Sequence, residues 1–522
     1  MAQYLGLDSS TQSLSAMIID TESGQVVLDR SVNFGKELPE FRSPNGFLHD
    51  DDPKVKHSDP LMWVEALERL LGGIRASGFD LGRVAGISGA GQQHGSVYLK
   101  TKISEAPAWS EAAPLREQIR PLLSRSTSPI WMDSSTSLEC AEIAAAVGGD
   151  AEVTRITGSR AIERFTGPQI RKFFRSQPDA YERTAEIHLV SSFMASLLVG
   201  ASAPIDFGDG AGMNLLELAT GAWHPGLLEA SAPGLGRKLL PAAPSRTRAG
   251  EIAPYFVKKY GFAPKTPVIA FTGDNPSSLV GMGATEPGTA VISLGTSDTV
   301  FAAMRQPRTD PRGFGHAFGN PAGGFMCLIC FANGSLAREA VAEKFGLGWP
   351  DFERIILSET RPGNGGNWML PYFVPEMTPK VLEPRVELFG SPEFVAWRDP
   401  KAAARAIVEA QALSMQRHSD WIGETPTDVL VTGGASQNRG ILQVLADVLG
   451  ARIRTLSTGN SSALGGALRA AEAVEGRSFA ELYRVFSAPA PDLEVGPDPS
   501  ARSAYGSLRT LLAERLAALA GS

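Results

Sequence analysis

Two segments far apart in the chain use the same device, an apolar strand that runs out into small polar residues: Leu5-Gly-Leu-Asp-Ser-Ser-Thr11 and Ala290-Val-Ile-Ser-Leu-Gly-Thr-Ser-Asp-Thr299. A strand that opens onto backbone N–H groups and short side chains can hold an anion, and its recurrence implies an internal duplication, hence two related halves. The length of 522 residues points the same way, because single cores stop growing at roughly 250 to 300 residues and longer chains divide. The Pro- and Lys-containing stretch Gly261-Phe-Ala-Pro-Lys-Thr-Pro267 marks the division, giving expected domains over residues 1–265 and 266–522.

In the first half, Tyr4–Leu7, Leu14–Ile19 and Gln25–Val32 read as a strand meander, with the turn cluster Asp20-Thr-Glu-Ser-Gly24 between the last two. A helix follows with Leu61, Val64, Leu67, Leu71 and Ile74 on one face, and then the apolar run Val84–Ile87 leads into a Gly-rich loop. This order predicts an α/β domain with a mixed sheet and helices packed on it. In the second half the pattern gives a helix carrying Ala403, Ile407, Ala410 and Leu413, a strand at Val429–Val431, and a helix from Arg439 to Gly450. Residues Ala488 to Ser500, rich in Pro and Asp, read as a surface segment.

Composition narrows the partners. The chain is 43% hydrophobic and 20% charged with net charge -7, and it has no block of Lys or Arg. Neither nucleic acid nor an anionic membrane surface is indicated, so a small molecule is the expected ligand. No apolar stretch reaches the ~18 residues that span a bilayer. The N-terminus lacks a basic region and meets Asp8 early, unlike a signal peptide. Three cysteines, Cys140, Cys327 and Cys330, are too few for a disulfide framework, so a cytoplasmic setting is expected. The Cys327–Cys330 pair lies in the apolar run Phe325–Phe331 without a second pair, and reads as core strand rather than a metal site.

Four segments place candidate chemistry at strand ends. In Gly6-Leu-Asp8-Ser9-Ser-Thr11-Gln12 the loop suits phosphate, while the Asp8 carboxylate suits Mg²⁺ held through its water shell. Gly295-Thr296-Ser297 is the matching loop of the second half. In Val429-Leu-Val-Thr-Gly433-Gly434-Ala-Ser-Gln-Asn438 a Gly-Gly turn lets backbone approach a flat ligand such as adenine. Phe271-Thr-Gly-Asp274-Asn275 offers a carboxylate able to take a proton from an attacking hydroxyl, which is enough where a reaction depends mainly on positioning. The cluster Gln92-Gln93-His94 suits a ligand covered in hydroxyls, with Trp131-Met-Asp133 and Gly158-Ser-Arg160 as further polar and stacking contacts. Neither a P-loop nor a protein-kinase Gly-rich loop with its strand Lys occurs.

In this order the segments resemble the FGGY carbohydrate kinases over nearly the whole chain. The stretches Ser88–Gly95, Trp131–Thr136, Thr157–Ala161, Thr272–Pro276 and Asn333–Leu336 are similar to the xylulokinase subgroup of longer, eukaryotic type. So is the insertion from Phe34 to His57, which short bacterial members lack. Short members usually carry Met where this chain has Gln93.

The resemblance implies the two-domain actin-like ATPase (ribonuclease H-like) fold with the active site in the interdomain cleft. It implies ATP with Mg²⁺ as cofactors and D-xylulose phosphorylated at its C5 hydroxyl. Kinases of ribulose, fuculose or glycerol are the near alternatives, and an actin-like ATPase acting on a protein partner the distant one. By the same resemblance Asp274 is the catalytic base and Asp8 orients the metal. His94, Arg160, Asp274, Asn275, Gln93 and Asp133 contact the sugar. Ser9, Thr11, Gln12, Gly295 and Thr296 bind phosphates, and Trp349, Gly433, Gly434 and Asn438 bind the adenosine part. The first domain then holds the sugar and the first phosphate loop, and the second holds the base, the second phosphate loop and the adenosine site. Monomer and homodimer are equally compatible with the sequence.

Overall fold

The computed structural model describes residues 2–456, 459–490 and 493–520. Packing divides the chain into two compact units: Met1–Thr285 with Ala317–Phe325 and Gly459–Ser487, and Glu286–His316 with Met326–Thr458 and Ala488–Ser522. This interleaving differs from the single cut expected between residues 265 and 266. The reason is sheet pairing: Pro267–Ile269 joins Val84–Gly91 in parallel, with Val268 opposite Ile87, and Thr272–Gly273 pairs with Ala90 and Gly91. Residues 266–285, Asp274 among them, therefore fold with the first unit.

The first unit is built on a seven-stranded mixed sheet in the order Arg248–Glu251, Pro267–Ile269, Val84–Gly91, Gln3–Ser9, Ser13–Asp20, Gln25–Asn33, with Thr272–Gly273 on the side of Val84–Gly91. The first three strands of the chain form the expected antiparallel meander. The predicted amphipathic helix spans Pro60–Ala76, capped by the Asp59 carboxylate on Leu61 N, with Leu61, Val64, Leu67, Leu71 and Ile74 all buried.

The helix Ser461–Glu475 lies so close to the sheet that side chains are excluded. A Cβ on Gly6 would come 1.9 Å from the Ala463 carbonyl oxygen, one on Gly281 1.8 Å from Ser461 O, and one on Gly465 1.9 Å from Ser277 O. Glycine and alanine on these faces bring the backbones of the strand bearing Asp8 and the helix opened by Asp274 against one helix. Arg469 of that helix is fully buried and donates to the carbonyls of Gly89, Ser245 and Ala270, tying it to three segments of the unit.

The second unit carries a sheet ordered Phe325–Phe331, Asp298–Met304, Thr289–Leu294, Asp428–Thr432, Arg452–Thr455, Glu494–Val495. The Cys327–Cys330 run is a strand, as its apolar pattern predicts. The predicted helices appear as Pro400–His418 and Arg439–Leu449. The segment Ala488–Ser500 falls partly outside the described residues. It departs from a plain surface segment in that Glu494–Val495 is an edge strand, with Val495 buried opposite Ile453.

Candidate active site

Asp8 is the next-to-last residue of the strand Gln3–Ser9, after which the chain turns through Ser10, whose N–H donates to Ser13 O. The side chain is only 7% exposed, and its Oδ1 has no hydrogen-bond partner among the described residues. Burial, reinforced by the charge of Asp274 and opposed by the Ser462 hydroxyl, pushes its carboxyl up to about 7. The neighbouring Ser9 hydroxyl is likewise buried and without a partner among the described residues. Thr11 and Gln12 are more open, and Thr11 Oγ1 accepts from the Trp131 indole N–H at 2.8 Å.

Asp274 opens the helix Asp274–Gly281 directly after Thr272–Gly273. Its Oδ1 accepts from Gln93 N at 3.3 Å, Asn275 N at 2.9 Å and Asn275 Nδ2 at 3.2 Å. Part of its surface stays open, yet it lies deep enough for desolvation to raise the carboxyl to about 6 despite those donors. Asn275 Nδ2 also reaches Gln93 Oε1 at 2.8 Å, so Gln93, Asp274 and Asn275 form one hydrogen-bonded group.

His94 has φ +70° and a buried ring stacked on Phe165, with centroids 4.2 Å apart. Burial and the Arg164 charge push its imidazole down to about 3, so the ring is neutral. Nδ1 lies 2.7 Å from the Gly212 carbonyl, which can only accept, so Nδ1 carries the proton and Nε2 remains an acceptor. Gln93 Nε2 and Arg160 Nε are buried donors without partners among the described residues. The backbone at Arg160 is fixed by Asn214, whose Nδ2 donates to Thr157 Oγ1, Ser159 O and Arg160 O.

Asp133 differs from these. Its Oδ1 accepts from Ser135 N, Ser135 Oγ and Gln169 Nε2, and its Oδ2 from Lys56 N, with the residue 1% exposed. Burial alone would raise this carboxyl, but these hydrogen bonds outweigh it and hold it below the usual range.

Two further carboxylates back the group. Asp206 accepts from Thr272 Oγ1 at 2.6 Å and Asp209 N at 2.8 Å, and from the Ser245 hydroxyl. Asp209 takes the Ser191 hydroxyl on Oδ2 at 2.5 Å and leaves Oδ1 unpartnered among the described residues. Its carboxyl is pushed well up by burial and by the charges of Asp206 and Asp274. Neither residue carries a spacing signal in Ile205-Asp-Phe-Gly-Asp-Gly210. Ser462 and Arg469 also escape notice in the sequence, because the helix that bears them is made of small residues.

In the second unit, Trp349, Gly434 and Asn438 line a cavity of about 730 Å³ together with Ser335, Glu353 and Leu357. Gly433 has φ +93°, and a Cβ there would come 2.4 Å from Leu294 O, so the turn admits only glycine. Asn438 caps the helix Arg439–Leu449 through Ile441 N at 3.0 Å, and its Nδ2 donates to Trp349 O at 3.1 Å. Trp349 is 43% exposed. Gly295 and Thr296 are not among the residues lining the cavity, but Ser335, which is, donates its N–H to Gly295 O at 2.8 Å. Below the Thr296 loop, Asp298 and Arg338 form a buried bidentate pair at 2.8 and 3.0 Å.

Residues 3–281 match the N-terminal domain, and residues 290–474 the C-terminal domain, of the FGGY family of carbohydrate kinases. The chain is 43% identical over 521 residues to a xylulose kinase of Rattus norvegicus, covering 98% of this chain and 96% of that protein. It is 41% identical to xylulose kinase 2 of Arabidopsis thaliana, covering 90% and 86% respectively. Its fold matches the crystal structure of a ligand-bound xylulose kinase from Lactobacillus acidophilus, with TM-score 0.82 and 19% identity over 100% of this chain and 99% of that one. A xylulose kinase from Rhodospirillum rubrum gives 0.83 and 21% over 99% of each. These structures carry the actin-like ATPase fold, and this chain shares it. Matched by both domain models and by relatives along nearly its whole length, the chain belongs to the FGGY family of carbohydrate kinases.

Proposed function

We propose that this chain transfers the γ-phosphoryl group of ATP to the C5 hydroxyl of D-xylulose, giving D-xylulose 5-phosphate and ADP. One observation carries the reading within the family. Next to the partly open Asp274 carboxylate, Gln93 Nε2 is a buried donor without a partner among the described residues; in the same unit Arg160 Nε is a second such donor, and the neutral His94 has an Nε2 that can only accept. A polyhydroxylated ligand satisfies such a mixed set, whereas an apolar one would leave it unpaired. The long alignments with proteins named xylulose kinase support the pentulose among the polyols.

In this reading Asp274, ionised, takes the proton of the attacking hydroxyl while that oxygen bonds to the γ-phosphorus and the bond to the β-phosphate oxygen breaks. His94, Arg160, Gln93 and Asn275 hold the sugar. Ser9, Thr11 and Gln12 of the first loop and Gly295 and Thr296 of the second bind phosphates, and the Trp349–Asn438 cavity takes the adenosine part. Asp8 Oδ1, unpartnered among the described residues, fits the water shell of Mg²⁺, which keeps several waters and few protein carboxylates. The ion supplies neutralisation of phosphate charge when bound. The three free cysteines favour a cytoplasmic setting, and no described helix is long and apolar enough to cross a membrane.

Asp274→Ala tests the assignment. Sugar-dependent ADP release is expected to fall by roughly 10²- to 10⁴-fold, the usual contribution of a positioned base, while protection of the variant from thermal unfolding by Mg·ATP persists. Near-normal turnover would remove Asp274 as the base.

A further inference from the structure

Residues 34–57 touch two of the segments that form the first unit's site. On one side Phe34 N donates to Gln12 O at 2.9 Å, and Gly46, with φ +84°, is pressed against Thr11, where a Cβ would come 1.7 Å from the carbonyl oxygen. On the other side Lys56 N donates to Asp133 Oδ2 at 2.9 Å, Ile130 N to Lys56 O at 3.1 Å and Ser134 N to Lys54 O at 2.9 Å. His57–Ser58 adds a short antiparallel pair with Ser128–Pro129. The two sides are themselves joined, because the Ser58 hydroxyl donates to Gly46 O at 2.6 Å and Leu48 N to His57 O at 2.8 Å. The Trp131 indole N–H on Thr11 Oγ1 closes the circuit.

We propose that residues 34–57 are a strap that holds the Thr11 loop and the Trp131–Asp133 segment as one rigid wall, with Asp133 as its anchoring residue. Asp133 then acts through Lys56, Ser135 and Gln169 rather than on the sugar, since four protein donors engage its two oxygens and the residue is 1% exposed. It is a positioning residue. Loosening the strap displaces the phosphate loop and the Trp131 wall together, so both reactants lose binding at once. A direct sugar contact would weaken the sugar alone.

The kinetic side of this inference rests on the proposed xylulose kinase activity, and the test separates the two. Gly46→Ala lies outside the reacting groups and forces the strap off Thr11. It is expected to raise the KM for ATP and the KM for D-xylulose together, by about tenfold each, in keeping with the cost of small misplacements around a reacting centre. Trp131→Phe, which keeps the ring and loses only the N–H, serves if Gly46→Ala folds poorly. It is expected to raise both constants several-fold and to add little in the Gly46→Ala background. His49→Ala, an exposed change within the strap, is expected to alter neither. Wild-type constants in both Gly46→Ala and Trp131→Phe, or an Asp133→Asn enzyme that loses sugar affinity alone, would overturn the strap. Protection by Mg·ATP against thermal unfolding, measured without sugar, gives the independent reading. Wild-type protection without pentulose turnover would sink the function while leaving the strap to be judged by whether Gly46→Ala weakens that protection.

Discussion

At the scale of single residues, the site depends on carboxylates held where they are costly to ionise. Asp274, at about 6, stands above the ordinary carboxylate value of 3.8, and the cause is desolvation. Below about pH 3 the folded and unfolded chains both hold the proton and the residue contributes no difference. As pH rises from about 4 to 6 the unfolded chain ionises freely while the folded one resists, so stability is lost across that window and stays lost above it. Asp274→Asn keeps the oxygen that accepts from Gln93 and Asn275 and has no charge to desolvate. Without Mg²⁺ and nucleotide, the variant is expected to melt several degrees above the parent at pH 8, a gain on the order of 3 kcal/mol at most, with the difference closing by about pH 3. Thermal unfolding across pH checks this, and a variant less stable than the parent at pH 8 would show that the charge is stabilised by partners in the fold. Asp8 and Asp274 were both legible in the sequence because each follows an apolar strand at a turn. Asp206 and Asp209 were not, because their roles depend on Thr272, Ser245 and Ser191, which only the fold brings to them.

At the scale of elements, the meander, the Pro60–Ala76 helix and the strand Asp428–Thr432 follow from periodicity alone. The helix Ser461–Glu475 is the instructive omission. Gly465 and Gly466 lower its intrinsic propensity, and its small residues make sense only opposite Gly6, Gly89 and Gly281. Asn460, whose Oδ1 caps Ala463 N, was the one local signal. Gly6→Ala is expected to destabilise by at least ~1–3 kcal/mol, as overpacked cores do, lowering the urea midpoint and, through Asp8 two residues on, the turnover rate. An unchanged midpoint would mean that strand and helix separate without cost. In the second unit, Asn438→Ala removes a helix cap, worth about 1 kcal/mol, and the link to Trp349. It is expected to raise the KM for ATP several-fold while leaving that for the sugar in place, and steady-state kinetics with each reactant varied decides this.

At the scale of the whole molecule, the duplicated strand ends gave the two-part organisation, but not where the parts divide. A cut after the Pro-rich stretch at Gly261–Pro267 ignores two segments that return to the first sheet, Pro267–Thr285 by strand pairing and Gly459–Ser487 by backbone packing. Linear order cannot reveal a return of that kind, since it is set by which faces fit. The consequence is chemical as well as topological: Asp8, Gln93, His94, Arg160, Asp274 and Asn275 belong to one compact unit, while Gly433, Gly434, Asn438 and Trp349 belong to the other.

In the proposed function these parts serve phosphoryl transfer from ATP to D-xylulose. The most direct measurement is ADP release by the purified protein with Mg·ATP, across D-xylulose, L-xylulose, D-ribulose, L-ribulose, L-fuculose and glycerol. The highest kcat/KM is expected on D-xylulose. A higher value on another polyol would overturn the substrate while keeping the kinase, and ADP release that does not depend on any sugar would rule out sugar phosphorylation as the function.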